Sequence, residues 1–392
     1  MILSSLFHTS PPFGLDISDL SLKLVALEKK LFSRAKNESK SRVAVASYNQ
    51  IAVPEGFFEQ GEIKKPDKII HLIHKLVDGA KGKKIATKYV ISVLPETKTF
   101  IKLIEIPSST PDGERQSAVD EEIKNHIPVP IDEMYVDWQY VDEPMAAKFE
   151  IPKKEKIKIL VGVAPQKIVE DYSNILIKAG LKPLALEIES AAISRCLTPE
   201  AKNLTPDFAQ MIIDFGATRT SLLIYDQGTI QFTTSIPFSG EKITQAIAEK
   251  LKISHEEAEK SKIVCGLDPK KCRGALKKII HPNIAQMLSK IEGAIDFYND
   301  QFQQSNEVKK IILCGAGANF KNLDKIIKEK LGVKTEIASP LSQLAKNING
   351  KHFLLIPRKK KGITDNVQIP PQEILSYTTA IGLALRGILI ED

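Results

Sequence analysis

Apolar and polar positions first fall into a recognisable pattern between Phe13 and Glu28. They read as strand, tight polar turn, strand, with Leu20, Leu22 and Leu24 spaced by two, the period of a half-buried strand. Val43 to Tyr48 reads as a third strand, and residues 66–78 place Ile69, Ile73, Leu76 and Val77 at helical spacing. A separate block opens near Thr87, with strands over Tyr89 to Leu94 and Thr99 to Ile106 about a turn at Pro95. Thr110-Pro111 then predicts a helix with a hydroxyl cap and proline in its first turn. Val119, Ile123 and Ile127 line its buried face, and Pro128 and Pro130 stop it. Tyr135 to Val141 and Ile157 to Ala164 supply two more strands, with a surface loop over Met145 to Lys156 between them. Ile168, Tyr172, Ile175 and Ala179 mark a helix closed by Gly180.

After Thr205-Pro206 the hairpin pattern returns: Met211 to Phe215, a turn at Gly216-Ala-Thr218, then Thr220 to Tyr225, with a further strand over Thr229 to Thr234. Ser254-x-x-Glu257 is a capping box opening a helix that carries Glu259 and Lys262. Ile284, Leu288, Ile291, Ile295, Tyr298 and Phe302 predict a long helix. The buried strand Ile311 to Cys314 runs into Gly315-Ala-Gly-Ala318 and a helix ended by Gly332, and Pro370-Pro371 opens a small-residue helix bearing Gly382. Alternating strands and helices, with an Asp-ended hairpin occurring twice, predict an α/β fold of two related halves.

Composition changes this picture little. The 392 residues are 43% hydrophobic and 26% charged, which excludes a disordered or collagen-like chain. No uncharged apolar run is long enough to span a bilayer, so no transmembrane segment is expected. The first residues do not read as a secretion signal, which predicts a cytoplasmic protein. Cys196, Cys265, Cys272 and Cys314 form no C-x-x-C pair and are expected to be buried, reduced thiols. The net charge of +7 comes partly from Lys153-Lys154 and Arg358 to Lys361. Neither run is interleaved with aromatics, so no nucleic-acid partner is expected, and contact of the second run with lipid stays open.

The repeated hairpin carries the candidate chemistry. Asp16 and Asp214 each end an apolar strand before small or hydroxyl residues, a turn that can aim N–H groups at phosphate oxygens. Such an aspartate can hold Mg²⁺ through water, and Lys23 can neutralise phosphate charge. An aspartate at a turn also serves simply as a turn former. Glycines at 315–317 either seat a base or ribose, or merely permit a close helix–strand crossing. There is no P-loop and no dinucleotide fingerprint.

The ordered segments GLDISDLSLK (14–23), IIDFGATRTSLLIY (212–225), SGEKIT (239–244), SHEEAEKSK (254–262), IILCGAGANFKNL (311–323) and TTAIGLALRG (378–387) resemble the actin-like ATPase superfamily. Within it the chain is similar to the PilM family of type IV pilus assembly, relatives of the FtsA family. The resemblance implies a bilobed fold, with residues 1–86, completed by 181–206 and 370–392, as the first half. It implies an inserted strand–helix–strand–strand subdomain over 87–180, and a second half over 207–369 with a helical part at about 241–308. It implies ATP and Mg²⁺ between the lobes.

Residue by residue, Asp16 and Asp214 match the acidic residues of the two phosphate loops, with metal and catalytic roles. Ser18 and Lys23 fall in the first loop, and Gly216, Ala217 and Thr218 in the second. Glu259 and Lys262 match ribose or adenine contacts, or else form a helix-surface ion pair. Gly315 and Gly317 match the adenosine loop, and Gly382 a hinge helix. Glu189 falls where the superfamily positions the attacking water, or is an ordinary helix-start carboxylate. Ser18, Asp19 and Leu20 depart from the family's phosphate loop, and Asp19 adds a repelling charge, which favours nucleotide binding over brisk hydrolysis.

The resemblance also implies a partner, the N-terminal cytoplasmic peptide of a PilN-like inner-membrane protein, together with other pilus assembly components at the inner face of the membrane. It leaves a homo-oligomer open. The rival readings are an FtsA-like division or filament protein, a scaffold with a degenerate nucleotide site, and a small-metabolite kinase. The first is disfavoured because Leu385 to Asp392 is too short and acidic for a membrane-binding basic helix.

Overall fold

The computed structural model describes residues 10–32, 40–124, 131–141, 156–198, 207–268, 270–302, 305–343 and 367–390. The expectations for Ile127, Pro128, Pro130, Lys153-Lys154, Thr205-Pro206, Arg358 to Lys361 and most of the loop from Met145 lie outside these residues.

Strands β1 (Phe13–Ser18) and β2 (Ser21–Phe32) form the first hairpin, with Asp16 opposite Lys23. β3 (Lys40–Ala52) pairs with β2 along a longer span than the apolar run at Val43 to Tyr48, because pairing rather than burial sets its ends. A small hairpin, β4 (Phe58–Glu59) and β5 (Glu62–Ile63), leads to α1 (Pro66–Asp78), which begins on proline and buries Ile69, Ile73 and Leu76. Then come β6 (Lys81–Gly82) and β7 (Tyr89–Leu94).

β8 (Phe100–Pro107), α2 (Arg115–Lys124), β9 (Met134–Tyr140) and β10 (Lys156–Pro165) follow. α3 (Gln166–Lys178), β11 (Lys182–Ile188) and α4 (Glu189–Leu197) complete this part of the chain. The range 87–180 therefore contributes to two sheets. β7 lies parallel to β1 and β11 in the first large sheet, whereas β8, β10 and β9 make a separate three-stranded sheet covered by α2. Thr110 does not cap α2. A 3-10 turn, Asp112–Glu114, precedes the helix instead and has no side-chain cap.

The second half starts with β12 (Ala209–Phe215), β13 (Thr220–Asp226) and β14 (Thr229–Ile236). α5 (Gly240–Leu251), α6 (His255–Cys265) and α7 (Ala275–Gln301) form its helical part, and Ser254 and Glu257 make both bonds of the capping box on α6. β15 (Val308–Cys314), α8 (Leu323–Leu331), β16 (Lys334–Ile337) and α9 (Pro340–Gln343) follow. The last helix, α10 (Thr378–Ile390), starts well after Pro370-Pro371, because a turn and the 3-10 segment Ile374–Tyr377 intervene.

The two large sheets share one topology. The first runs β3-β2-β1-β7-β11 with β6 added at its edge, and the second runs β14-β13-β12-β15-β16. In each, an antiparallel meander is extended by two parallel strands. α4 and α10 lie where the two halves meet, in an apolar cluster that takes Val25 and Tyr48 from one sheet and Ile212, Leu223 and Ile312 from the other. α10 is almost wholly apolar, as a helix buried against both halves must be, and its one charged residue, Arg386, reaches Glu187.

Gly382 is what lets α10 cross α4 this closely. A Cβ there would stand 1.9 Å from the carbonyl oxygen of Ala192, so backbone would have to move. Gly382→Ala is expected to cost stability at the upper end of about 1–3 kcal/mol, seen as a lower urea midpoint. An unchanged midpoint would show that the crossing can open freely.

Cys265 and Cys272 correct the expectation of four free thiols. They are bonded to each other, with Cα atoms 5.9 Å apart, because the loop after α6 doubles back. Cys196 and Cys314 are free and buried.

Candidate functional site

Both Asp-bearing strands end at one cleft of about 330 Å³ between the halves. Asp16 and Asp214 line it with Glu189 from the start of α4, and Gly315 and Ala316 close one side. Ser18, Lys23, Gly216, Ala217 and Thr218 also line it. The fold thus brings together nine of the twelve residues singled out in the sequence.

The other three lie elsewhere. Gly317 packs against the backbone and Cβ of Phe215, where a Cβ would come 2.8 Å from Phe215 Cβ. Glu259 and Lys262 form an ion pair at 2.6 Å. Lys262 also donates to Thr244 Oγ1 at 2.8 Å and to the Gly240 carbonyl at 3.0 Å, which ties α6 to the start of α5. Gly240 and Glu241 in turn donate their amides to the Gly216 and Ala217 carbonyls. The pair therefore braces the second loop from behind.

The two hairpins differ at the position facing the aspartate. Asp16 is 2% exposed, accepts from Ser18 Oγ at 2.7 Å and pairs with Lys23 Nζ at 3.1 Å. Asp214 faces Ser221 instead, so no cation stands opposite it on β13. Burial, and then the charge of Asp16, push the Asp214 carboxyl up to about 6. Burial, then Asp214 and Asp16, hold Glu189 well above the usual carboxylate range. Gly315 has φ of +76°, and a Cβ there would fall 2.2 Å from Asp214 Oδ1, so only glycine leaves this oxygen its place. Asp19, the charge that should repel a phosphate, accepts from the Gly61 amide at 3.2 Å.

One residue of the cleft and one buried near it escaped sequence reasoning. Arg219 lines the cleft from the second loop, and its position inside an already notable segment was an available signal. Glu96, in the turn after β7, is only 9% exposed, and neither of its carboxylate oxygens has a hydrogen-bond partner among the described residues. Burial pushes its carboxyl up to about 7, with the nearby Ser221 hydroxyl and then Arg219 opposing the rise and Asp214 adding to it. Nothing local to Pro95-Glu96-Thr97 marks it.

These carboxyls link stability to pH. In the unfolded chain they titrate near about 4. Between that value and about 7 the folded protein holds the extra protons, so stability falls as pH rises through this window. Glu96→Gln is expected to flatten the fall and to raise stability at about pH 8 by about 1–3 kcal/mol. A urea midpoint at that pH no higher than wild type would contradict this.

Five acidic groups, Asp16, Asp19, Glu189, Asp214 and Glu373, line the cleft with Lys23 and Arg219, and Glu96 is buried beyond that lining. No cluster of three or more side chains able to chelate a bare ion occurs among the described residues. That combination suits an anion arriving with its own hydrated divalent cation, held by carboxylates through water. At the exposed tip of the second loop, the N–H groups of Ala217 and Thr218 have no backbone acceptor among the described residues, leaving donors for phosphate oxygens.

A second feature is a groove of about 580 Å³ between the three-stranded sheet and the first half. β9, its edge strand, offers Tyr135 and Asp137, while Leu160, Gly162, Ile188 and Ala191 line the groove. At its polar end Glu187, 4% exposed, accepts two bonds of 2.7 Å from Arg195 and another from Arg386. No helix among the described residues is long and apolar enough to cross a membrane.

Known proteins share this architecture. A solved PilM-PilN type IV pilus biogenesis complex superposes with a TM-score of 0.74 at 23% identity, covering 96% of this chain and 98% of that one. Ethanolamine utilization protein EutJ of Carboxydothermus hydrogenoformans superposes at 0.51 with 14% identity, covering 96% and 90%. The cell division protein FtsA of Borreliella burgdorferi is 26% identical over 152 residues, 34% of this chain. That match spans 37% of FtsA, little more than a third of its length. The fold is the bilobed actin-like one. Residues 14–388 match the family described as type IV pilus assembly protein PilM, and the chain belongs to that family.

Proposed function

We propose that this protein is an ATP·Mg²⁺-binding scaffold of type IV pilus assembly, working at the cytoplasmic face of the membrane. The observation that carries the nucleotide reading is the convergence of both aspartate turns and the Gly315 loop on one cleft. Loop amides and Lys23 would hold phosphate oxygens, and Asp16 and Asp214 would hold Mg²⁺ through its waters. The Gly315 loop would seat the nucleoside, while Glu259 and Lys262 act by bracing the second loop. The metal supplies charge neutralisation on the phosphates. Glu189, which lines the cleft, would orient an attacking water. Burial, then the charges of Asp214 and Asp16, raise its carboxyl, which makes it a poorer proton acceptor and would slow turnover.

The groove beside β9 would take the N-terminal cytoplasmic peptide of a PilN-like membrane protein. An edge strand supplies main-chain pairing and the apolar floor supplies side-chain pockets, the two parts that recognition of an extended peptide needs. Residues 100–165 then act as the partner-binding insert, and the α4–α10 crossing as the joint that couples it to the nucleotide cleft. The test is fluorescence anisotropy of that labelled peptide with the purified protein, with and without ATP·Mg²⁺. Saturable binding that shifts with nucleotide supports the reading, and absence of peptide binding contradicts it. A scaffold with a closed nucleotide site is the second reading, favoured by Lys23 and Ser18 already satisfying Asp16.

A further inference from the structure

α6 and α7 meet at a tip that neither the cleft nor the groove uses. α6 buries Ala258 and Cys265, yet Ile263 and Val264 near its end are 65% and 58% exposed. Beyond it, residues 270–278 carry Lys270, Lys271, Arg273, Lys277 and Lys278 and no acid. Lys270, Arg273, Lys277 and Lys278 are exposed. Lys271 Nζ donates to the Val264 carbonyl at 3.2 Å, which sets the cationic run against the apolar pair. Lys321 joins from the second half's Gly315 segment, where contact with Lys271, by hydrogen bond and then by like charge, lowers its pKa.

The tip is also preformed. The Cys265–Cys272 bond ties its two ends together, and Gly266, Cys272, Arg273 and Gly274 all hold positive φ, between 48° and 70°. A buried core does not require Ile263 and Val264 to face water, and Asp268, which accepts from the Lys270 amide at 2.9 Å, is the one acid among the five cations of residues 266–278. Exposed aliphatic side chains beside a run of cations are the chemistry of an interfacial membrane contact. A nucleic-acid surface would interleave aromatic side chains, and the tip has none.

We infer that Ile263, Val264, Lys271, Arg273, Lys277 and Lys278 form a docking face for an anionic lipid bilayer. The two aliphatics enter the headgroup boundary and the cations pair with lipid phosphates. This contact is separate from any tethering through a partner's peptide and would orient the second half toward the membrane.

Sedimentation of the full chain with phosphatidylcholine vesicles, alone or mixed with phosphatidylglycerol, tests it. Binding is expected only to the mixed vesicles and should weaken as salt shortens electrostatic reach. K277A/K278A should weaken partitioning about 25-fold, at about fivefold per cation. I263S/V264S should reduce it at every salt concentration. Both pairs are exposed, so wild-type melting temperatures are expected, and K270A/R273A serves as a further variant should either pair fail to fold. Failure to bind mixed vesicles, or binding unchanged in all variants, overturns the inference. So does tighter, tip-dependent binding to duplex DNA or tRNA, or to an acidic protein, than to the vesicles.

Discussion

Asp214→Asn is expected to weaken ATP·Mg²⁺ binding about 10–150-fold, the loss of charge-assisted bonds worth about 1.5–3 kcal/mol. The same change should make the nucleotide-free protein more stable at about pH 8, by about 1–3 kcal/mol. Both effects come from one carboxylate. Its charge lies near Asp16, with Ser221 opposite it on β13 and the Cys314 thiol donating to it at 3.7 Å, and burial pushes it up to about 6. With a hydrated Mg²⁺ nearby, that charge is what the site needs. Asparagine keeps the shape beside Gly315 and removes both terms. Calorimetric titration and urea denaturation read the two halves separately, so loss of binding through unfolding cannot imitate the result. Unchanged affinity would remove Asp214 from the nucleotide site.

The second large effect belongs to the groove. Gly162 sits on β10, and a Cβ there would meet Ile188 Cδ1 at 3.4 Å and the Asp137 carbonyl at 3.9 Å, ordinary contacts. The strand therefore tolerates a side chain, but a longer one projects into the space a peptide would fill. Gly162→Leu is expected to weaken binding of the membrane partner's peptide about 30-fold or more, as blocking a central pocket does. ATP·Mg²⁺ affinity should stay within about twofold, since additive behaviour is expected of separate sites. If the peptide still binds at wild-type strength, it docks somewhere other than beside β9.

Much of the fold was legible because its key units are local. Each Asp-ended hairpin announces itself through two apolar runs and a polar turn, and the capping box at Ser254 and Glu257 is read directly. Parallel pairing is not local. Tyr89 to Leu94 looks like the start of a new block, yet it joins β1 and β11 because the chain returns to the first sheet twice. The site divides in the same way. Asp16, Lys23, Asp214 and Thr218 follow from turn chemistry and from resemblance to the family. Glu96 needs the fold to bury it, and the Glu187 network needs Arg195 eight residues on and Arg386 far along the chain. Glu259 and Lys262 show a motif placed correctly on its helix while its side chains face a brace rather than the cleft. The Cys265–Cys272 bond depends on backbone at positive φ in the intervening loop, which no spacing rule foretells.

Calorimetric titration of ATP·Mg²⁺ into the wild-type protein tests the central claim most directly. The cleft's two aspartate turns, its Gly315 loop and the loop amides of Ala217 and Thr218 predict saturable binding of one nucleotide per chain, lost when Mg²⁺ is chelated. No heat and no thermal stabilisation at about millimolar nucleotide, a free energy weaker than about −4 kcal/mol, would contradict it. The protein would then be an actin-like scaffold whose first aspartate is already satisfied by Lys23 and Ser18.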